Sequence, residues 1–125
     1  MEKTATILLV EDAFDDREVM TRILQHEGFK TLAATDGNEA LQLLAEAGRP
    51  DLIVMDLALP GRDGWETLDA IRNNPDYAAI PVIATTAYGS LDVKDDIDTA
   101  GFDAYFPKPV QNERFVALVR QILWG

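Results

Sequence analysis

The chain has 125 residues, of which 47% are hydrophobic and 26% charged, and it contains no cysteine. That length suits one domain with a single buried core, and the missing cysteines exclude disulfides, thiolate metal sites and cysteine nucleophiles. A formal net charge of −11 at pH 7 argues against nucleic acid or an anionic membrane as a direct partner, because both require a basic footprint.

The first predicted element is a strand, Thr6–Val10, reading TILLV. Glu11 and Asp12 follow it at once, and Asp15 and Asp16 come soon after. Carboxylates this close repel one another unless a cation or a solvated turn absorbs the charge. A helix is expected over 16–27, with Val19, Met20, Ile23 and Leu24 on one face and Gly28 as its stop. Asp15 and Asp16 are expected to cap it, where the helix dipole favours negative charge. His26, the single histidine, reads as a cation at the helix C-terminus rather than as a phosphohistidine.

A second strand is expected over 31–34. Thr35 and Asp36 then open a helix over 39–47 that turns Ala40, Leu43, Leu44 and Ala47 inward and ends at Gly48. The third strand, 52–55, hands its carboxyl end to Asp56. A helix over 64–73 buries Leu68 and Ile71 and closes before Pro75. The fourth strand is Val82–Thr86. The helix after it, 90–99, has Ser90 as its expected N-cap and few inward residues: Leu91, Val93, Ile97 and Ala100. A fifth strand over 104–106 precedes a last helix, 111–123, carrying Phe115, Val116, Leu118, Val119, Ile122 and Leu123.

Three of these strands, TILLV, LIVM and VIATT, are apolar without alternation, the pattern of central parallel strands covered on both faces. Strand and helix alternate five times. The predicted fold is therefore α/β: a doubly wound, five-stranded parallel sheet flanked by five helices, flavodoxin-like, in one domain spanning 1–125. Ligands in such folds sit beyond the carboxyl ends of the strands. There the strands deliver Glu11 and Asp12, Asp56, Thr86 and Lys108. Any one of these has an ordinary explanation as a turn residue, a β-former or a solvated lysine. Together they make a hard, oxygen-only site suited to Mg²⁺, with Mn²⁺ as the alternative. Beside it stand a carboxylate able to attack phosphorus and two groups, a hydroxyl and an ammonium, that neutralise phosphoryl oxygens.

At these residues the chain resembles the response regulator receiver domains of two-component signalling. The resemblance runs from ILLVEDAFDD to the last helix and rests on LLVED, PDLIVMDLALPGRDGWE, IPVIATTAY and GFDAYFPKPV. It implies that Asp56 accepts a phosphoryl group from a histidine kinase or a histidine phosphotransfer protein, in a self-modifying acceptor rather than a turnover enzyme. It implies that Asp12 ligates Mg²⁺ directly, Glu11 through water, and Ala58 through its backbone carbonyl. Thr86 becomes the hydroxyl switch, Lys108 the phosphate partner before a cis Pro109, and Tyr105 the aromatic switch. Tyr88 is expected to cover one side of the acyl phosphate. The downstream partner is expected on the face formed by the fourth helix, fifth strand and fifth helix, whose Asp92, Asp95, Asp96 and Asp98 suit a basic surface. The state implied is a monomer or a phosphorylation-promoted homodimer, cytoplasmic, and a stand-alone receiver, with an excised domain as the alternative.

Rival readings meet specific obstacles. An FMN binder needs a small-residue phosphate loop after the first strand, where this chain has EDAFDD. A Mg²⁺-dependent hydrolase with an aspartate nucleophile needs a second Asp where Ala58 stands. A receiver-fold interaction module acting without phosphorylation remains the alternative. Phe14 reads either as a staple for the first helix or as an exposed contact for the phosphoryl donor. Trp65 is expected to pack locally, and Trp124 to fray.

Overall fold

The computed structural model describes residues 4–58, 63–86 and 91–125, and for 91–95 the backbone alone. Tyr88 and Ser90 lie outside the described residues, as do the side chains of Leu91, Asp92, Val93 and Asp95. In chain order the elements are β1 (Thr6–Val10), α1 (Phe14–His26), β2 (Lys30–Ala34), α2 (Gly37–Ala47), β3 (Leu52–Asp56), α3 (Gly64–Arg72), β4 (Val82–Thr86), α4 (Leu91–Ala100), β5 (Ala104–Pro107) and α5 (Asn112–Trp124).

The strands form one parallel sheet in the order β2-β1-β3-β4-β5. The three unalternating apolar runs are its three central strands, and every residue of β3 and β4 is buried. β2 and β5 lie at the edges, where partial exposure tolerates Lys30 and the half-buried Tyr105. On one face α1 and α5 pack Met20, Ile23, Leu24, Phe115, Val116 and Val119 against Leu9, Val54 and Ile83. On the other, α2, α3 and α4 bring Ala40, Leu44, Leu68, Ile71 and Ile97 against Leu8, Met55 and Val82. Each large side chain so buried contributes about 1.5–3 kcal/mol relative to exposure. The two covered faces therefore set the sheet's position, and the site is built on its rim.

Local chemistry sets where the helices begin. Asp36 accepts the Glu39 N–H at 2.7 Å, and Glu39 in return accepts the Thr35 N–H at 3.0 Å, a reciprocal cap. Asp63 caps α3 through the Glu66 N–H at 2.8 Å. α1 departs from expectation. It starts at Phe14, its N-cap is Ala13, and no side chain caps it. Asp15 and Asp16 thus occupy its first turn, where they meet the dipole but cap nothing. Val19 is 48% exposed rather than inward, at the border of the stripe formed by Met20, Ile23 and Leu24. Ala47 and Ala100 are also exposed, each near a helix end where the covering layer stops. Trp124 does not fray: it belongs to α5 and stacks on Phe29, ring centroids 5.7 Å apart. Trp65 packs edge-on against Phe102 at 5.7 Å.

Arg72, at the end of α3, joins four segments. Its guanidinium donates to the carbonyls of Ala78 (3.1 Å), Ile80 (2.7 Å) and Gly101 (3.1 Å) and to the Asp103 carboxylate (3.0 Å). Asp103 also accepts the Val82 N–H at 2.8 Å. A planar, five-donor guanidinium suits this convergence of carbonyls. It ties the end of α3, the α3–β4 connection and the end of α4 to the start of β4.

At the opposite end of α3, Gly64 lets the helix begin against the tip of β3. A methyl group there would stand 2.5 Å from the Asp56 carbonyl oxygen and 2.8 Å from Leu57 Cα, both backbone atoms with nowhere to move. Gly64→Ala is expected to destabilise the fold by about 1–3 kcal/mol through this overlap. Urea unfolding followed by circular dichroism reads the change, and an unaltered midpoint contradicts the close approach.

Candidate functional site

The sheet order places β1 beside β3. The helices after these two strands, α1 and α3, lie on opposite faces of the sheet, so a crevice opens between the two carboxyl ends. Glu11 extends β1 into it, its N–H donating to the Ala34 carbonyl at 3.0 Å. Asp56, the last residue of β3, enters from the neighbouring strand. Glu11, Asp12 and Asp56 each bring a carboxylate oxygen within 4.8 Å of the others. Glu11 is fully buried, Asp56 is 5% exposed, and Asp12 is exposed.

Lys108 reaches this group from beyond β5. Its N–H donates to the Thr86 carbonyl at 2.8 Å, and the Lys108–Pro109 bond is cis. Its ammonium contacts Glu11 Oε1, lies 2.9 Å from Asp56 Oδ2 and stands 3.3 Å from Asp16 Oδ2. The remaining carboxylate oxygens find backbone donors. Glu11 Oε2 accepts the Ala13 N–H at 3.1 Å, and Asp56 Oδ1 accepts the Ala58 N–H at 3.1 Å. Thr86 is buried at the end of β4. Tyr105 is half-buried on β5, in register with Ala84 and packed on the side covered by α2, α3 and α4.

The charges do not balance. One ammonium faces two buried carboxylates and a third at the rim. Burial is the largest influence on Glu11 and pushes its carboxyl up to about 7, with the Asp56 charge adding to the shift; Lys108 and the Ala13 N–H oppose it without prevailing. For Lys108 burial works against the charge, yet Glu11 and Asp56 outweigh it and raise its pKa above the usual lysine range. The excess negative charge and the all-oxygen donor set fit a small divalent cation of the Mg²⁺ type. Glu11, Asp12 and Asp56 are the side chains that would hold it.

Two contacts had no warning in the sequence. Asp16 joins Lys108 because α1 begins early enough to aim its first turn at the site. Arg17 donates to the carbonyls of Glu11 (2.9 Å) and Asp12 (3.3 Å) while its guanidinium lies 5.6 Å from the Phe14 ring centroid. Phe14 itself is 63% exposed, so it does not staple the helix to the core. His26 is exposed in the last turn of α1, far from these groups in sequence and bonded to none of them.

Comparison with known proteins points the same way. A family model described as the response regulator receiver domain matches residues 7–120. The polar-differentiation response regulator DivK of Brucella anthropi is 32% identical over 118 residues, covering 94% of this chain and 95% of its own. A crystal structure of a putative response regulator from Chloroflexus aurantiacus superposes with a TM-score of 0.93 at 31% identity, over 98% of this chain and 100% of that one. The receiver domain of a sensor histidine kinase from Pseudomonas aeruginosa, solved with a magnesium ion coordinated in its active-site cleft, gives 0.89 at 28% identity, over 98% and 100% of the two chains. No described helix of the present chain is long and apolar enough to cross a membrane.

The buried carboxyl has a consequence for stability. The folded protein keeps the Glu11 proton to a higher pH than the unfolded chain, whose value is near 4.5. The folded state therefore binds more protons in that window, and stability falls as pH rises through it. Glu11's favourable contribution is complete below about pH 4.5 and lost as pH climbs past about 7. In metal-free buffer the melting temperature should decline from about pH 5 to about pH 8, and Glu11→Gln should flatten that decline. An identical slope in the variant would show that other groups carry it.

Proposed function

The chain belongs to the response regulator receiver domain family, and from that premise we propose that Asp56 is the residue that takes the phosphoryl group. The protein is a signalling phosphoacceptor modified on an aspartate, not a turnover enzyme. Its phosphoryl donor is a histidine kinase or a phosphotransfer protein. The observation that carries the assignment to Asp56 is its carboxylate at the tip of β3, nearly buried, grouped with Glu11 and Asp12 and 2.9 Å from the Lys108 ammonium.

In the transfer, one Asp56 oxygen forms the new bond to phosphorus while the bond between phosphorus and the donor imidazole nitrogen breaks. The imidazole keeps the electron pair and takes up a proton. Glu11, Asp12, Asp56 and the Ala58 carbonyl would hold a Mg²⁺ ion, which would supply positive charge to the phosphoryl oxygens. Lys108 brings a second positive charge, already placed by its pairing with Asp56. The Ala58 N–H bond to Asp56 Oδ1 holds the carboxylate plane, so the attacking oxygen is oriented before the donor arrives.

Thr86, buried at the end of β4, is the hydroxyl that closes on the new phosphoryl group, and Tyr105 is the aromatic that follows it. Tyr105 lies on β5, the strand paired with β4, and packs on the same sheet face as Val82 and Ala84. This links the site to α4, β5 and α5, the surface we assign to the downstream partner. Phosphorylation shifts an equilibrium between two arrangements of that surface. Asp96 and Asp98 are exposed on α4 and give the surface negative charge suited to a basic partner.

Incubation with acetyl phosphate and Mg²⁺ is expected to add one phosphoryl mass that is labile to base. Asp56→Asn should abolish the adduct, and chelation of the metal should suppress it in the wild type. A wild-type protein that forms no adduct while still binding its target would favour the interaction module that works without phosphorylation.

A further inference from the structure

Thr85 is fully buried, and among the described residues its hydroxyl has no hydrogen-bond partner. A buried hydroxyl left unpaired costs stability, so its retention calls for a reason. Its position offers one. Side chains alternate along β4: Val82 and Ala84 face α2, α3 and α4, whereas Ile83 faces α1 and α5. Thr85 therefore shares the α1/α5 face with Ile83. By the same alternation Asp56 follows Val54 onto that face, and Asp56 and Thr85 are register partners in the β3–β4 ladder. Phe106, the register partner of Thr85 on β5, is on this face too, two residues before Lys108.

The Lys108 ammonium reaches Asp56 on β3 and Glu11 beyond β1, yet its backbone follows β5. β4 lies between β5 and β3. The lysine stem must therefore cross β4, and Thr85 is the last β4 residue on the face it crosses. In the arrangement described, the ammonium stands against Glu11, Asp56 and Asp16, and none of its hydrogen bonds goes to Thr85. As a phosphoryl group arrives on Asp56 and Glu11 shares in holding a cation, those oxygens are withdrawn from Lys108.

We propose that the Thr85 hydroxyl, placed beneath Lys108 and beside Asp56, then accepts a hydrogen bond from the Lys108 ammonium and holds it toward the phosphoryl group. Thr85 is thus a positioning residue that acts through Lys108 and is distinct from the switch hydroxyl assigned to Thr86. This inference rests on the assignment of Asp56 as phosphoacceptor.

Thr85→Val keeps the shape and removes the hydroxyl, and Thr85→Ser keeps the hydroxyl. Two readouts are compared: the melting temperature of the unphosphorylated protein, and the rate of Asp56 adduct formation with acetyl phosphate and Mg²⁺. The valine variant should melt at the wild-type temperature or above it, because an unpaired buried hydroxyl is gone, yet be phosphorylated about fivefold more slowly. The serine variant should recover the rate. Stability and rate moving in opposite directions is what a purely structural role does not produce. A valine variant that is phosphorylated at the wild-type rate overturns the proposal. So does one that melts lower, since the hydroxyl would then already serve the resting fold. If the wild type itself forms no adduct that Asp56→Asn abolishes, the phosphoacceptor assignment fails first. An Asp56-dependent adduct unaffected by the valine removes the role of Thr85 alone.

Discussion

A single ammonium, carried across two strands of a parallel sheet, holds two buried carboxylates in place. Lys108 leaves the end of β5, passes β4 and meets Asp56 and Glu11, with Asp16 of α1 at its outer side. Two acids this deeply buried would not both stay charged without a cation close by. Lys108 satisfies that requirement only in part, because one positive charge faces more than one negative. Burial raises Glu11, with the Asp56 charge adding to it, while Glu11 and Asp56 raise Lys108 against its own burial. The deficit keeps the site receptive to a divalent ion and to the charge changes of phosphoryl transfer. The site is therefore left incomplete by its own residues, and that incompleteness suits it to exchanging cations and phosphoryl groups.

Everything else serves to bring that lysine and those acids to one rim. Parallel strands all end on the same side, so residues far apart in sequence converge without long excursions of the chain. The reversal of strand order between β1 and β3 opens the crevice that Glu11 and Asp56 share. Gly64 allows α3 to begin directly against the Asp56 carbonyl, which fixes the backbone beneath the carboxylate. At the far end, Arg72 and Asp103 bind the close of α4 to the start of β4. The described end of α4 is anchored through Gly101 and the buried Ile97, while Asp96, Asp98, Thr99 and Ala100 face outward.

The opening of α1 shows how an earlier helix start redistributes roles at the site. With Phe14 as the first helical residue, Phe14 and Val19 are exposed while Met20, Ile23 and Leu24 enter the core. Asp16 turns toward Lys108, and Arg17 spans the carbonyls of Glu11 and Asp12. The acidic run after β1 is thus divided by structure. Glu11 and Asp12 belong with Asp56 to the group that could hold a cation, Asp16 shares the lysine, and Asp15 lies in the first turn, where it meets the helix dipole.

The fold class, the order of elements and the membership of the rim were legible in the amino-acid sequence. Unalternating apolar runs identify the central strands, helix-period stretches identify the covering layers, and polar residues at strand ends stand out against TILLV, LIVM and VIATT. The partnerships were not legible. Asp16 with Lys108 and Arg72 with Asp103 arise between residues brought together by strand order and helix placement, neither of which leaves a periodic trace. Val19, Ala47 and Ala100 were misplaced for the same reason: one chain's periodicity locates an apolar stripe but not where the opposing layer ends. Local sequence determined which residues stand at the strand ends. Tertiary packing alone decided that one lysine would serve three carboxylates, because charge neutralisation in a buried crevice depends on distances that only the assembled sheet sets.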